Sequence, residues 1–213
     1  MELFQENVII TGHWNVPLIS QIWLADHNIV SREEFLAAQS IFTPPMVQIA
    51  TPQFQLLVLE ERLQFTPSCE ELYKAQLIID RVGSLVNWLP ETPYTGLGIN
   101  FVWHYRPSAP ATISSVGRRL FFKEDSPLAR EFNTDDAKFG GYYSKNTLGF
   151  RLKLSTAPVD VQRTDRPTEE VVQFSFNYHL SSAIHHEIHR ALGLWTDAKA
   201  HSVALTEAIE EAA

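Results

Sequence analysis

The strand-like and helix-like segments of this chain come in the same order twice, and that doubling restricts the available folds more than any motif does. Over roughly residues 1–90 the order is strand, helix, three strands, helix, and over 93–213 the six elements recur. The expectation is an α+β domain, a tandem pseudo-repeat of βαβββα. Its antiparallel strands would pack on one face against the two longer helices, in one saddle-like sheet or two separate ones.

In the first copy, the β-rich run Asn7–Trp14 leads past Pro17 to SREEFLAAQ, where Ser31 and Glu34 have the spacing of a capping box and predict a helix start. MVQIA (46–50), FQLLVL (54–59) and RLQFT (62–66) are bounded by Pro44-Pro45, Thr51-Pro52, Glu60-Glu61 and Pro67, and read as three strands. From Ser68 onward, Leu72, Ala75, Ile79, Val82 and Val86 recur at helical spacing up to Pro90.

The second copy opens with TGLGINFVWHY (95–105), a strand in which Gly96 and Gly98 indicate a bulge or a close backbone approach. A poorer helix follows around 115–122. GGYYSKN (140–146), GFRLKLS (149–155) and VVQFSFNYHL (171–180) read as strands. Phe150, Leu152 and Leu154 alternate with Arg151 and Lys153, as in a sheet with one wet face. A last helix over about 181–212 places Ile184, Ile188, Leu192, Trp195, Ala198, Ser202, Leu205 and Ile209 on one stripe, with Gly193 as a point of interruption. Residues 107–139 and 158–168 read as irregular segments, the second a loop or lid.

No Gly/Ser linker separates the copies, so residues 1–213 are expected to form a single compact domain of two pseudo-repeats, about 1–90 and 93–213. No run of 18 uncharged apolar residues and no basic-then-apolar leader is present, and Cys69 is the lone cysteine, which together predict a cytoplasmic protein away from membranes. Cys69 at a helix start could have a lowered thiol pKa, although a structural role is the preferred reading. The net charge of −8 repels phosphate backbones, which makes nucleic acid an unfavoured ligand.

Chemistry concentrates in one place. His185-His186-Glu187-Ile188-His189, with His179 upstream and His201 downstream, gathers five of the eight histidines. His185 and His189 share a helix face at the spacing two metal-bound imidazoles need, and His179 is the candidate third ligand. Glu187, two residues after His185, faces away from it, so the segment is no H-E-x-x-H zincin. The plain reading is a solvated helix face beside the apolar stripe. Gly96 and Gly98 are only half of a phosphate loop and lead into more strand, which excludes a dinucleotide fold. Asp135-Asp136 and Glu60-Glu61 read as solvated acidic pairs. Arg118-Arg119, Phe121-Phe122 and Lys123 form a small basic and aromatic patch, and no G-x-S-x-G elbow marks a nucleophile.

The segments ITGHWN (10–15) with IWLADHNIV, TPPMVQIATPQFQLLV (43–58), PYTGLGINFVWHY (93–105) and FSFNYHL (174–180) together resemble a sporadically distributed bacterial family of uncharacterised proteins. The resemblance spans most of the chain. It implies a cytoplasmic bacterial protein, and it brings with it no reaction, cofactor or active-site residue. The histidine cluster is not part of the resemblance.

Three functions are compatible with these readings. The leading one is a non-enzymatic protein-interaction or accessory subunit of a bacterial complex, such as a defence or toxin-related one. It would have an unidentified protein partner and no cofactor, and would use tryptophans among Trp14, Trp23, Trp88 and Trp103 as interface anchors. The second is a metal-dependent hydrolase or metal-regulated protein holding a divalent metal through His185, His189 and His179. The third is a nucleic-acid binder, by topological analogy with a saddle-shaped DNA-binding fold and with Arg151 and Lys153 as a basic strip. The strand at 140–146 is an edge that could pair across a homodimer.

Overall fold

The computed structural model describes residues 1–108, 111–163 and 166–212. Its strands are β1 (Glu2–Gly12), β2 (Gln39–Thr43), β3 (Met46–Ala50), β4 (Phe54–Leu59), β5 (Arg62–Pro67), β6 (Tyr94–Tyr105), β7 (Gly141–Thr147), β8 (Phe150–Arg163) and β9 (Arg166–Leu180). They form one sheet in the order β2-β3-β4-β5-β1-β6-β9-β8-β7, and every neighbouring pair is antiparallel. The fold is α+β, and both halves of the chain share the sheet. Their seam is β1 against β6, in register from Glu2↔His104 to Gly12↔Tyr94.

The helices are α1 (Gln21–Asp26), α2 (Arg32–Ala37), α3 (Glu71–Ile78), α4 (Ser84–Trp88), α5 (Ile113–Phe121), α6 (Pro127–Glu131), α7 (His185–Leu192) and α8 (Trp195–Ala212). Strand alternation decides which face of the sheet they cover. Val8, Ile10, Leu97, Ile99, Phe101, Phe174, Phe176 and Tyr178 point one way and are buried in a single apolar core. Trp195 of α8 packs on Phe101, Phe121 of α5 on Phe174, and Phe35 of α2 on Phe42 of β2, all from that side. Glu6, on the same face and 7 % exposed, accepts from Lys74 of α3 and from Lys199 of α8 at 2.8 Å. Both lysines also reach Glu71, at 3.0 and 2.5 Å, so four alternating charges tie two helices to the central strand.

Local signals account for most boundaries. The capping box at Ser31 forms, with Ser31 Oγ accepting from the Glu34 amide at 3.1 Å and Glu34 Oε2 from the Ser31 amide at 2.7 Å. Gly193 separates α7 from α8, as its position in the stripe predicts. Gly96 and Gly98 are close approaches: a Cβ would stand 2.6 Å from the Leu180 carbonyl oxygen at Gly96, and 2.8 Å from Asn177 Nδ2 at Gly98. The bulge falls beside them, between Thr11/Gly96 and Gly12/Tyr94.

The structure departs from expectation in four places. A π-helical turn, Ile79–Gly83, joins α3 to α4, and its extra residue shifts the helical phase, so Leu72 is 81 % exposed while Ile78, Val82, Leu85 and Val86 are buried. Residues 158–163 and 166–168, expected as an exposed loop or lid, belong instead to the long β8–β9 hairpin; 164–165 lie outside the described residues. The segment 107–139 contains α6, capped by Ser126 Oγ on the Ala129 amide at 3.0 Å. The first half has a short α1, capped by Ser20, and an additional edge strand β2. The element counts of the two halves therefore differ, and the sheet order alone does not make them repeats.

Candidate functional site

The face of the sheet opposite the helices is rich in polar side chains, with apolar ones scattered among them. One row of register crosses all nine strands: Ile41, Gln48, Leu57, Gln64, Ile9, Gly98, His179, Arg151, Asn146. Beside it run Asn7, Asn100, Asn177, Lys153 and Ser144, then Gln5, Val102, Ser175, Ser155 and Tyr142, and on the other side Met46, Leu59, Arg62, Thr11 and Gly96. None of these residues is Asp or Glu, in a chain of net charge −8. Carboxylates enter this face beyond these rows, where Glu2 pairs in register with His104 and both Glu2 and Glu169 bond Arg106.

Side-chain hydrogen bonds hold this field in place. Asn100 Nδ2 donates to Asn7 Oδ1 at 2.9 Å and Asn177 Nδ2 donates to Asn100 Oδ1 at 2.5 Å, an amide ladder across β1, β6 and β9. Gly98 leaves the space that the Asn177 amide occupies. Gln173 Nε2 donates to Ser175 Oγ at 3.0 Å, the ring of His104 lies 3.2 Å from Gln173 Oε1, and Phe4 stacks on that ring at 4.3 Å. The Thr95 hydroxyl donates to Thr11 Oγ1 at 2.9 Å, and Arg151 donates to Asn146 Oδ1 at 3.3 Å. His179 bonds Ser181 Oγ at 3.0 Å, and burial, then the charge of Lys153, lowers its pKa. Its imidazole is therefore neutral at pH 7, and Arg62, Arg151 and Lys153 are the cations of these rows.

The expected metal ligands are spread over both sides of the sheet. His179 stands on the uncovered face. His185 opens α7 on the helix side, its ring 5.7 Å from that of His186. His189 packs against the π-turn, its Nε2 3.0 Å from where a Gly83 Cβ would stand. Glu187 Oε2 accepts from Ser182 Oγ at 2.7 Å. Among the described residues no group of three or more His, Cys, Asp and Glu side chains is arranged to hold a metal. His201 bonds the Tyr178 hydroxyl at 2.8 Å; burial pushes the tyrosine's pKa up, while burial and then Lys145 push the histidine's down, so the pair is neutral.

Other candidates acquire structural roles. The Cys69 thiol has a raised pKa because burial outweighs its own backbone hydrogen bond and the Lys74 charge, which removes the activated-thiol reading. Arg118 lies between the rings of Phe122 (4.7 Å) and Phe139 (5.2 Å) and donates to Asn133 Oδ1 and the Thr134 carbonyl, pinning the loop before β7. Of the tryptophans named as anchors, Trp14 and Trp103 are buried and Trp23 half-buried, while Trp88 is 56 % exposed and meets His27 edge-on at 4.5 Å. The polar ladder is what sequence reasoning missed. Its signal was there in part: Asn100 and Asn177 each interrupt an apolar stretch of a strand, an expensive position unless the amides find one another.

Neither a protein-family model nor a curated protein matches the chain. No helix among the described residues is long and apolar enough to cross a membrane.

Proposed function

We propose that the chain is a non-enzymatic binding module of a bacterial cytoplasmic complex, and that its uncovered sheet face docks an acidic surface of another protein. The observation that carries this reading is that these four rows hold amides, hydroxyls and three cations but no carboxylate, on a chain that is otherwise acidic; Glu2 and Glu169 lie on the same face beyond them, and Arg106 pairs with both. A partner meeting this face escapes the repulsion it would meet elsewhere, and charge complementarity governs encounter and register. Ile9, Leu57, Leu59, Val102 and Phe4 add the scattered apolar area that protein interfaces have. Three cations are fewer than the roughly 6–10 phosphate contacts of a duplex binder, which favours a protein over nucleic acid. The lone Cys69 and the resemblance of ITGHWN, TPPMVQIATPQFQLLV, PYTGLGINFVWHY and FSFNYHL to the bacterial family support the compartment.

Titration of isotope-labelled protein with a polyglutamate peptide, a polylysine peptide and a duplex DNA tests the reading. Polyglutamate should shift the amides of Asn100, Asn177 and Ser175 and spare α7 and α8, while polylysine leaves the face unchanged. Arg151→Glu with Lys153→Glu should weaken polyglutamate binding about tenfold, the 1.4 kcal/mol that two rim ion pairs supply. Shifts confined to the helix layer, or DNA binding tighter than polyglutamate at physiological salt, would sink the proposal.

A further inference from the structure

The sheet ends on β7 with a free edge, and an apolar groove runs beside that edge on the helix side. Among the described residues β7 pairs with β8 alone, so its outer row of backbone donors and acceptors faces outward. Tyr142 and Tyr143 are 65 % and 50 % exposed. The groove, about 590 Å³, is walled by Leu120 and Phe121 of α5, Leu152 and Leu154 of β8, and Leu205 and Ile209 of α8, with Tyr143 and Lys145 at its rim. An apolar groove alongside unpaired backbone is suited to another β-strand.

From this edge we infer that β7 is the interface of a two-fold homodimer, in which β7 of a second copy pairs antiparallel with it and extends the sheet across both molecules. The strand is self-complementary. Ser144 is the midpoint of Gly141–Thr147, and a two-fold axis there sets Ser144 against Ser144, Tyr143 against Lys145 of the second copy, and Tyr142 against its Asn146. Tyr143 and Lys145 share the groove side, since they oppose Leu154 and Leu152. The axis therefore makes two identical ammonium-to-aromatic contacts and brings the two grooves together. Lysine on an edge strand ordinarily guards against strand addition, but in this register each Lys145 meets a tyrosine face rather than another cation. The opposite edge does not compete on these terms. β2 has five residues and runs into Pro44-Pro45, and pairing it with β7 would be head-to-tail and build filaments rather than a closed dimer.

Sedimentation equilibrium across a concentration series decides the matter. The wild-type chain should fit a monomer–dimer equilibrium with nothing larger. Tyr143→Lys places like charges opposite one another and should weaken association at least roughly tenfold. Adding Lys145→Glu to that variant creates two opposite-charge pairs and should restore the dimer. A wild-type monomer at the highest concentration overturns the inference, including one whose groove takes up an apolar dye, as do assemblies beyond the dimer. A Tyr143→Lys chain that still dimerises, or a double variant that stays monomeric, overturns the two-fold register. Circular dichroism checks that each variant is folded. The Ser144 amide faces away from β8, so its concentration-dependent protection in the wild type is expected in any case, and the absence of that protection counts against the interface without recourse to variants.

Discussion

Leu148 stands where the backbone favours a residue it is not. It and Gly149 close the two-residue turn between β7 and β8, with φ of 54° and 79°. That is the doubly left-handed turn for which Asn-Gly is the preferred pair, because a branched side chain on a left-handed residue crowds its own carbonyl. Leu148→Asn should therefore stabilise the protein by about 1 kcal/mol, read as a rise in the urea midpoint at unchanged slope. A lower midpoint would show that the Leu148 side chain earns its place through contacts instead. Glycines were the more legible residues. Gly96 and Gly98 announced a close approach, but the two groups that make it, the Leu180 carbonyl and the Asn177 amide, come from a strand some eighty residues later and could not be read locally.

At the scale of elements, short-range chemistry was readable and long-range chemistry was not. The Ser31 capping box, the alternation of β8 and the break at Gly193 all depend on neighbours within a few residues, and all are present. The π-turn at Ile79–Gly83 was invisible because its sequence is ordinary for an α-helix, and what marks the turn is His189, arriving from α7 to lie against Gly83. The charge network on Glu6 is of the same kind, since Glu6, Lys74 and Lys199 belong to β1, α3 and α8. Glu6→Gln leaves two ammonium groups sharing only Glu71. The expected loss is about 2–3 kcal/mol, below the 3–5 of a fully buried pair because both lysines keep some contact with water. Chemical denaturation measures it, and a change within error would show that the network only solvates the helix seam.

For the whole molecule, the doubled order of elements foretold an α+β fold built on antiparallel pairing, but left open whether there would be one sheet or two. The answer rests on β1 and β6, whose apolar alternation suits a central strand as well as an edge. The candidate site was legible in part. Arg151 and Lys153 pointed to a wet face, while the absence of carboxylates from its central rows emerges only once the strands are set side by side. The histidines drew attention by crowding in sequence, which is no guide to whether they converge in space.

The seam also bears on the order in which the sheet can assemble. Strands β3, β4 and β5 are joined by short connections, as are β7, β8 and β9, so each wing can zip up from its own hairpins; β1 meets β6 only after the intervening chain has been gathered in. Native pairing at the centre should then come late. Val8→Ala and Ile99→Ala at the seam should chiefly accelerate unfolding, and Val58→Ala in the β4 hairpin should chiefly slow folding, as stopped-flow chevrons would register. The two strands that join the halves of this sheet would thus be the last to find each other.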